Sequence, residues 1–257
     1  MAFATMLSTV GPSDAEEIVA VVNGFHPYGF VDGAGEITGL GVDILDRIAE
    51  DAGLQVRYIA RDTVADSIAA IAAGEAVINP ALADLPARRD TLAFTDSYDT
   101  IEIKVYRLAN QVRPGDIAKA PDLVGMRVGF NRGSVSDHAV RAMPGVIPVP
   151  FNSNADLILN LVEGNVDAAV YPRKGFERIA RVLDMEGRFV AVGPALRTIP
   201  LRIAVDVRQP ALLERLDGGL RRLKAEQAWT EIRNRWFAPP PTIWTPERVL
   251  LAAAVMV

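Results

Sequence analysis

Few side chains in this sequence could activate a nucleophile or hold a metal ion. The chain of 257 residues has no cysteine and only two histidines, His26 and His138. Disulfides, thiolate metal sites and a cysteine nucleophile are therefore excluded, and so is a histidine-rich metal centre. No Ser-His-Asp order, carboxylate pair, Rossmann fingerprint or P-loop is recognisable. Nothing in the sequence predicts a cofactor, and an enzyme is the least favoured interpretation.

Arginine and a serine turn offer binding chemistry instead. In LPARRD, Arg88 could make a planar bidentate pair with a carboxylate. Taken alone, such a residue is more typical of a surface ion pair. In NRGSVSD, Gly133–Ser134 comes just before a predicted helix, whose first N–H groups and dipole favour an anion. Ser134 or Ser136 could also be an N-cap, and the two roles are compatible.

The composition is that of a globular protein without a nucleic-acid partner. Half of the residues are hydrophobic and 23% are charged, with a formal net charge of −5. That balance supports a packed core, in one large domain or two small ones. The acidic balance gives no sign of a basic face for the phosphates of DNA or RNA, so we expect no nucleic-acid binding.

Short apolar strands alternate with amphipathic helices along most of the chain. Repeated β-α-β units predict an α/β fold with a mainly parallel sheet and helices on both faces. In such sheets, ligands bind beyond the carboxyl ends of the strands. The predicted strands are 18–23, 55–60, 77–83, 91–94, 126–130, 146–148, 167–171 and 201–207, and the predicted helices are 41–52, 64–73, 136–141, 155–163, 173–182, 210–225 and 228–236.

Five segments in the same order give the chain a resemblance to the family 3 periplasmic solute-binding proteins, the bacterial binders of polar amino acids. PYGFVDGAGEITGLGVDILDRIAEDAGLQV is similar to the opening of that family. LPARRDTLAFTDSY resembles its arginine segment, and LVGMRVGFNRGSVSD resembles the start of its second lobe. LVEGNVDAAVYP and PALLERLDGGLRRLKAEQAWTEIRNRWF resemble a lobe-2 strand and the closing pair of helices. The resemblance covers about residues 17–237.

The resemblance implies a two-lobed flytrap fold with two hinge crossings that closes on a small solute. Lobe 1 is expected at about 12–101 plus 200–237, and lobe 2 at about 103–197. The crossings are expected at 101–106 and 198–203. Closure is then a hinge motion, which a ligand stabilises by touching both lobes.

The resemblance also implies a set of ligand-binding residues. Arg88 aligns with the arginine that holds the ligand carboxylate, and Arg89 takes that role if the register is shifted by one. Gly133 and Ser134 align with the turn that donates hydrogen bonds to the same carboxylate, and Phe25 aligns with an aromatic cover. The other candidates beside the cleft are Asn131, Tyr98, Ala81, Ala83 and Pro172.

The sequence departs from the family where amino-acid binders hold the ligand's α-ammonium. Pro172 replaces the aspartate that follows the lobe-2 strand, and Ala81 and Ala83 replace small hydroxyl residues. A buried ammonium without a partner carries a large desolvation cost. The sequence therefore favours a mono- or dicarboxylate over an ordinary amino acid, with Arg132 and Arg173 as further candidate cations.

Two non-enzymatic functions fit this resemblance. One is a periplasmic protein that delivers its solute to an ABC permease, and the other is the extracytoplasmic sensor domain of a membrane-linked signalling protein. Residues 238–257, a proline-rich linker followed by an apolar run, favour a domain tethered to the membrane. The alternative for that run is a short terminal helix docked on the core.

An enzyme of the cyclohexadienyl or prephenate dehydratase type is the alternative on the same fold. Dehydration needs a general acid near the leaving hydroxyl, often a carboxylate with a raised pKa. The stretch from Tyr171 to Lys174 offers no carboxylate, and Glu177 lies a helical turn beyond it. The sequence therefore favours binding over dehydration.

Overall fold

A computed structural model describes residues 16–116 and 122–237, so the expectations for residues 12–15 and 238–257 lie outside the described residues. The strands are β1 (Glu16–Val22), β2 (Phe30–Val31), β3 (Ile37–Thr38), β4 (Leu54–Ala60), β5 (Ile78–Ala83), β6 (Leu92–Phe94), β7 (Asp99–Leu108), β8 (Arg127–Asn131), β9 (Ile147–Phe151), β10 (Ala168–Pro172) and β11 (Phe189–Asp206). The helices are α1 (Leu40–Asp51), α2 (Val64–Ala72), α3 (Val135–Arg141), α4 (Asn154–Val162), α5 (Arg173–Val182), α6 (Pro210–Lys224) and α7 (Gln227–Phe237).

The large sheet has the strand order β4-β1-β5-β11-β7-β10-β8-β9, with β6 paired to β11. β1 pairs in parallel with β4 and β5, and β8 pairs in parallel with β9 and β10. The long strands β7 and β11 lie antiparallel to each other in the middle. The sheet is thus parallel towards its two ends, as the sequence predicts, and antiparallel at its centre.

The fold is the two-lobed flytrap with two crossings that the sequence predicts. We call β1–β6 with α1, α2, α6 and α7 lobe 1, and β8–β10 with α3–α5 lobe 2. The expected crossings at 101–106 and 198–203 lie within β7 and β11, which run from one lobe to the other. The residue bounds expected for each lobe stay a prediction.

Helix α1 packs against α6 to form part of the lobe-1 core. Ile44, Leu45 and Ile48 on α1 are buried and face Leu216 and neighbouring residues of the core. Gly219 of α6 allows the helices to approach closely, because a Cβ there would lie 2.4 Å from Cγ2 of Ile48. This packing holds the first helix behind the strands whose ends form the site.

Three helices begin with a hydroxyl cap directly after a strand of the sheet. Thr63 caps α2, Ser134 caps α3 and Ser153 caps α4, each side chain accepting a backbone N–H of the first turn. Because parallel strands place their carboxyl ends at one edge, these helix starts face the same region from both lobes.

Two features differ from the sequence prediction. β11 starts at Phe189, well before the predicted strand, because β7 pairs with it on both sides of a register shift between Val192 and Arg197. The short β2–β3 hairpin was not predicted, since its strands are too brief to show a period. Within residues 16–116 and 122–237, none of the helices combines the length and apolar character that a membrane span requires.

Candidate ligand-binding site

A cavity of about 440 Å³ lies between the lobes, within the size range of small-molecule pockets. Its walls come mainly from the ends of β5 and β10 and from the segments that follow β1, β4, β5, β8 and β9. Of the residues predicted from the sequence, those that line it are Arg88, Phe25, Asn131, Ser134, Ala81, Ala83 and Pro172. Gly133 contacts Arg88 but is not a lining residue, and neither is Tyr98.

Arg88 is a buried cation that has no carboxylate partner among the described residues. It lies on a 3₁₀ turn just after β5 and is only 6% exposed. Nη1 donates to the carbonyl oxygen of Ala83 at 2.9 Å, and Nη2 donates to that of Gly133 in lobe 2 at 3.3 Å. Burial lowers the pKa of Arg88 to about 10, so the group is still a cation at neutral pH. This unbalanced positive charge is suited to an anionic ligand.

Arg89, the alternative for the same role, faces away from the cavity. Its side chain is 63% exposed and donates two hydrogen bonds to Asp84, each at 3.0 Å. It is not among the lining residues. The geometry therefore favours Arg88 as the residue that meets a ligand.

The Gly133–Ser134 turn is built for a close approach of the two lobes. Gly133 has a φ of +69°, and a Cβ on it would lie 3.3 Å from Cβ of Ala65 at the start of α2. Its N–H donates to Asp137 at 2.8 Å. A side chain at this position would therefore disturb both the turn and the contact between the lobes.

The hydroxyl of Ser134 forms its hydrogen bonds within the protein. Its Oγ donates to the carbonyl oxygen of Asn131 at 2.6 Å and accepts the N–H groups of Ser136 and Asp137 as the N-cap of α3. Val135, the next residue, also lines the cavity, and no hydrogen bond among the described residues uses its N–H. The N–H of Val135 is thus a candidate donor for an anion, one residue after the predicted turn, and the Ser134 cap holds the helix start in place.

Aromatic side chains cover the lobe-1 wall. Phe25 packs on the buried Tyr28 with 4.9 Å between ring centroids, and both belong to a tight turn that ends at Gly29. The ring of His26 lies 3.8 Å from that of Phe30, and both line the cavity. Burial, with a smaller contribution from a nearby arginine, lowers the pKa of His26 to about 4, so this imidazole is neutral at pH 7.

Tyr98 lies behind the cavity wall and does not line it. The residue is 3% exposed, and its hydroxyl donates to the carbonyl oxygen of Pro80 at 2.8 Å. Its ring points into the lobe-1 core because a hydrogen-bond acceptor for the buried hydroxyl lies there. The expectation that Tyr98 faces the cleft is therefore corrected.

Three polar side chains of lobe 2 meet at the other end of the cavity, and we call Asn131, Asn154 and Tyr171 the amide cluster. Tyr171 Oη donates to Asn154 Oδ1 at 2.6 Å, and Asn131 Nδ2 donates to the same oxygen. Asn154 Nδ2 donates to the carbonyl oxygen of Gly24 in lobe 1 at 3.0 Å. Pro172 follows Tyr171 in the wall, so this end has no carboxylate of its own.

Several lining residues were not predicted from the sequence. They come from the segments after β4 and after β9, namely Arg61, Asp62, Thr63, Val64, Asn152, Ser153 and Asn154. Both segments follow parallel strands, and ligands bind beyond the carboxyl ends of such strands, so the strand pattern is the sequence signal that points to them.

The charges that line the cavity are mainly positive among the described residues. The cations are Arg61, Arg88 and Arg132, and the one carboxylate is Asp62. Arg61 is paired with Glu75, whereas Arg132 donates only to an amide oxygen, that of Asn152, at 3.3 Å. The charges of the lining therefore favour the binding of an anion over that of a cation.

Arg173, which was predicted as a further candidate cation, lies outside the lining, and so does His138. Arg173 pairs with Glu102 at 2.7 Å, because the start of α5 points it along β7 and away from the cleft. His138 is exposed on α3. Lys174, next to Arg173, instead bridges the lobes by pairing with the buried Asp99 at 2.7 Å.

Solved structures of similar fold include binding proteins and a sensor domain. An ancestral arginine-binding protein bound to arginine is 25% identical over 86% of this chain and 98% of its own, with a TM-score of 0.78. A histidine kinase sensor domain with similarity to periplasmic binding proteins is 22% identical over 88% of this chain and 96% of its own, with a TM-score of 0.78. The ancestral amino acid-binding protein AncCDT-1, a precursor of cyclohexadienyl dehydratase, is 22% identical over 86% and 95%, with a TM-score of 0.72.

No match was found among curated proteins. The solved structures establish the shared two-lobed fold, and a family match extends over most of the sequence. Residues 18–239 match the bacterial extracellular solute-binding proteins, family 3. The cavity between two lobes is where such a fold holds its solute. This chain is therefore a member of the bacterial extracellular solute-binding proteins, family 3.

Proposed function

We propose that this protein binds a small carboxylate-bearing solute outside the cytoplasm and closes its two lobes on it, for ABC-type uptake or for transmembrane sensing. The observation that carries the proposal is Arg88, a buried guanidinium that lines the cavity between the lobes and lacks a carboxylate partner among the described residues. A ligand carboxylate would supply the missing negative charge and the remaining hydrogen-bond acceptors.

The charges of the lining favour an organic acid over a zwitterionic amino acid. Arg88 and Arg132 both lack carboxylate partners among the described residues; Arg132 and Asp62 are exposed, so Arg88 is the buried charge of the lining. Ala81, Ala83 and Pro172, which line the cavity, offer no side-chain acceptor at the positions where the family resemblance places the ammonium contacts. Because desolvating an ammonium without replacing its hydrogen bonds is costly, a mono- or dicarboxylate is the better match.

A thermal-shift screen followed by calorimetry tests the proposal. The probes are simple mono- and dicarboxylates, aromatic acids and zwitterionic amino acids. A ligand present at 100 times its dissociation constant should stabilise the protein by about 2.7 kcal/mol. We expect at least one carboxylate to shift the wild type.

The matched variants are Arg88→Met and Arg89→Met, which remove neighbouring arginines of opposite burial. We expect Arg88→Met to abolish the shift and Arg89→Met to preserve it. Tight binding of an amino acid with no response to any simple carboxylate would overturn the preference for organic acids. A carboxylate shift that survives Arg88→Met would remove Arg88 from the site.

Uptake and sensing share this binding step and differ in the partner of the closed form. An ABC permease is the partner proposed for uptake, and a membrane-linked signalling module is the partner proposed for sensing. Cell fractionation of the natural protein separates them, because an uptake protein is found in the periplasmic extract when it is not anchored, and a sensor domain stays with the membrane.

A dehydratase is the alternative, since AncCDT-1 shares the fold. Dehydration needs a positioned acid close to the substrate. In the described lining the carboxylate is Asp62, which is exposed at the start of α2. We therefore expect no turnover of prephenate in an absorbance assay; turnover that Asp62→Asn removes would favour the enzyme.

A further inference from the structure

The amide cluster of Asn131, Asn154 and Tyr171 has a fixed hydrogen-bond direction. Asn154 Nδ2 faces the carbonyl oxygen of Gly24 at 3.0 Å, and a carbonyl can only accept. The amide oxygen of Asn154 must then point to Tyr171 and Asn131, which both donate to it. Turning the amide over would place two oxygens against each other at Gly24.

The consequence is that neither amide oxygen of the cluster is open to a ligand. Asn154 Oδ1 already accepts two hydrogen bonds from within lobe 2. Asn131 Oδ1 is buried and has no partner, and it is closed off from solvent. A ligand ammonium placed at this end would therefore lose its water hydrogen bonds without gaining protein ones.

Asn154 also links the two lobes at a point where a bound cation could otherwise link them. Its Nδ2 belongs to lobe 2, lines the cavity and reaches the backbone of lobe 1 at Gly24, next to Phe25. The donor that links the lobes at this end is thus part of the protein. Closure here needs no positive group on the ligand.

We propose that Asn154 determines specificity by excluding carboxylates that also carry an ammonium group. This inference rests on the proposed function, in which Arg88 holds the ligand carboxylate at the other end. The inference predicts that the hydrogen bond from Asn154 Nδ2 to the Gly24 carbonyl decides which ligands bind. If an oxygen replaced Nδ2, it would face the Gly24 oxygen. Two hydrogen-bond acceptors would then lie side by side in the cavity wall.

Asn154→Asp makes that exchange with little risk to folding. Asn154 is the first residue of α4, where a carboxylate is favoured by the helix dipole. Tyr171 and Asn131 can still donate to the new carboxylate. The Asp side chain and the Gly24 carbonyl would together accept from one ammonium.

Calorimetry with matched pairs of probes tests the inference, using propionate against alanine and succinate against aspartate. In the wild type we expect the acid of a pair to bind and its amino analogue to bind at least about tenfold more weakly, a difference of about 1.4 kcal/mol. In Asn154→Asp we expect the amino analogue to gain at least about tenfold relative to the acid.

Asn152→Asp is the matched control, because it adds the same charge to the same wall two residues away. We expect it to weaken the acids without gaining the amino analogues. An equal gain in both variants would overturn the inference, since a general charge effect would explain it. So would a wild type that binds both members of a pair equally, or an Asn154→Asp variant without gain. If one of these results is found but the acids still bind in an Arg88-dependent manner, the role of Asn154 is wrong and the proposed function is retained. If no carboxylate binds the wild type, the proposed function and the role of Asn154 are both wrong.

Discussion

The two ends of the cavity bridge the lobes by the same means and differ in charge. At one end Arg88 reaches from lobe 1 to the carbonyl of Gly133, and at the other Asn154 reaches from lobe 2 to the carbonyl of Gly24. Arg88 is charged and lacks a carboxylate in the described residues, whereas the hydrogen bonds of Asn154 are complete. At the first end a ligand is needed to balance the charge of Arg88, whereas at the second end other protein groups supply the hydrogen-bond partners of Asn154.

The two ends contribute differently to ligand binding and to the stability of the fold. A buried cation that is balanced only by carbonyl dipoles costs folding energy, which a bound anion recovers. The three hydrogen bonds of the neutral Asn154 side chain stabilise the ligand-free protein. The same cavity therefore contains one end that favours the bound state and one that favours the folded state.

Asn154→Ala should give the largest loss of stability in the ligand-free protein. It removes three hydrogen bonds and leaves the Gly24 carbonyl and the Tyr171 hydroxyl without partners. We expect the free energy of unfolding to fall by about 2 kcal/mol, measured by urea denaturation. Asn152→Ala, which loses one long hydrogen bond to Arg132, should change it by less than about 0.5 kcal/mol. Equal losses in both variants would show that the cluster is not special.

Arg88→Met should act in the opposite direction on the same quantity. It exchanges an unpaired buried cation for an apolar side chain of similar length, so we expect the free energy of unfolding of the ligand-free protein to rise by about 1 kcal/mol. The same urea series measures it, with Arg89→Met as the exposed control. A fall as large as that of Asn154→Ala would contradict the contrast between the two ends.

His26→Gln should have the smallest effect, visible only in acid. The folded-state pKa of His26, about 4, is below its ordinary value of 6.5. The unfolded chain therefore takes up the proton first, and stability falls as the pH drops from about 6.5 towards 4. We expect the glutamine variant to lose less stability than the wild type between pH 7 and about pH 5, and to match it above pH 7. Parallel curves for the two proteins would mean that this imidazole does not contribute.

Much of the fold could be predicted from the sequence because its signals are local. The periodicity of α1 and α5, the glycines after helices and the apolar strands each depend on neighbouring residues, and these elements appear close to their predicted bounds. The long β11 could not be predicted in full, since its first half is held by pairing with β7 and not by its own composition. Strand pairing of that kind is a tertiary effect.

The family, the two lobes and Arg88 as the candidate anchor could all be predicted from the sequence, because five segments in a fixed order, one of which contains this arginine, can be recognised along the chain. The tertiary structure alone decided that Arg88 is buried without a carboxylate while Arg89 is paired outside, and that Tyr98 belongs to the core. It also decided the role of Asn154, whose partner Gly24 is 130 residues away in sequence. Burial and hydrogen-bond partners depend on which segments the fold brings together, and no local pattern encodes a contact across that distance.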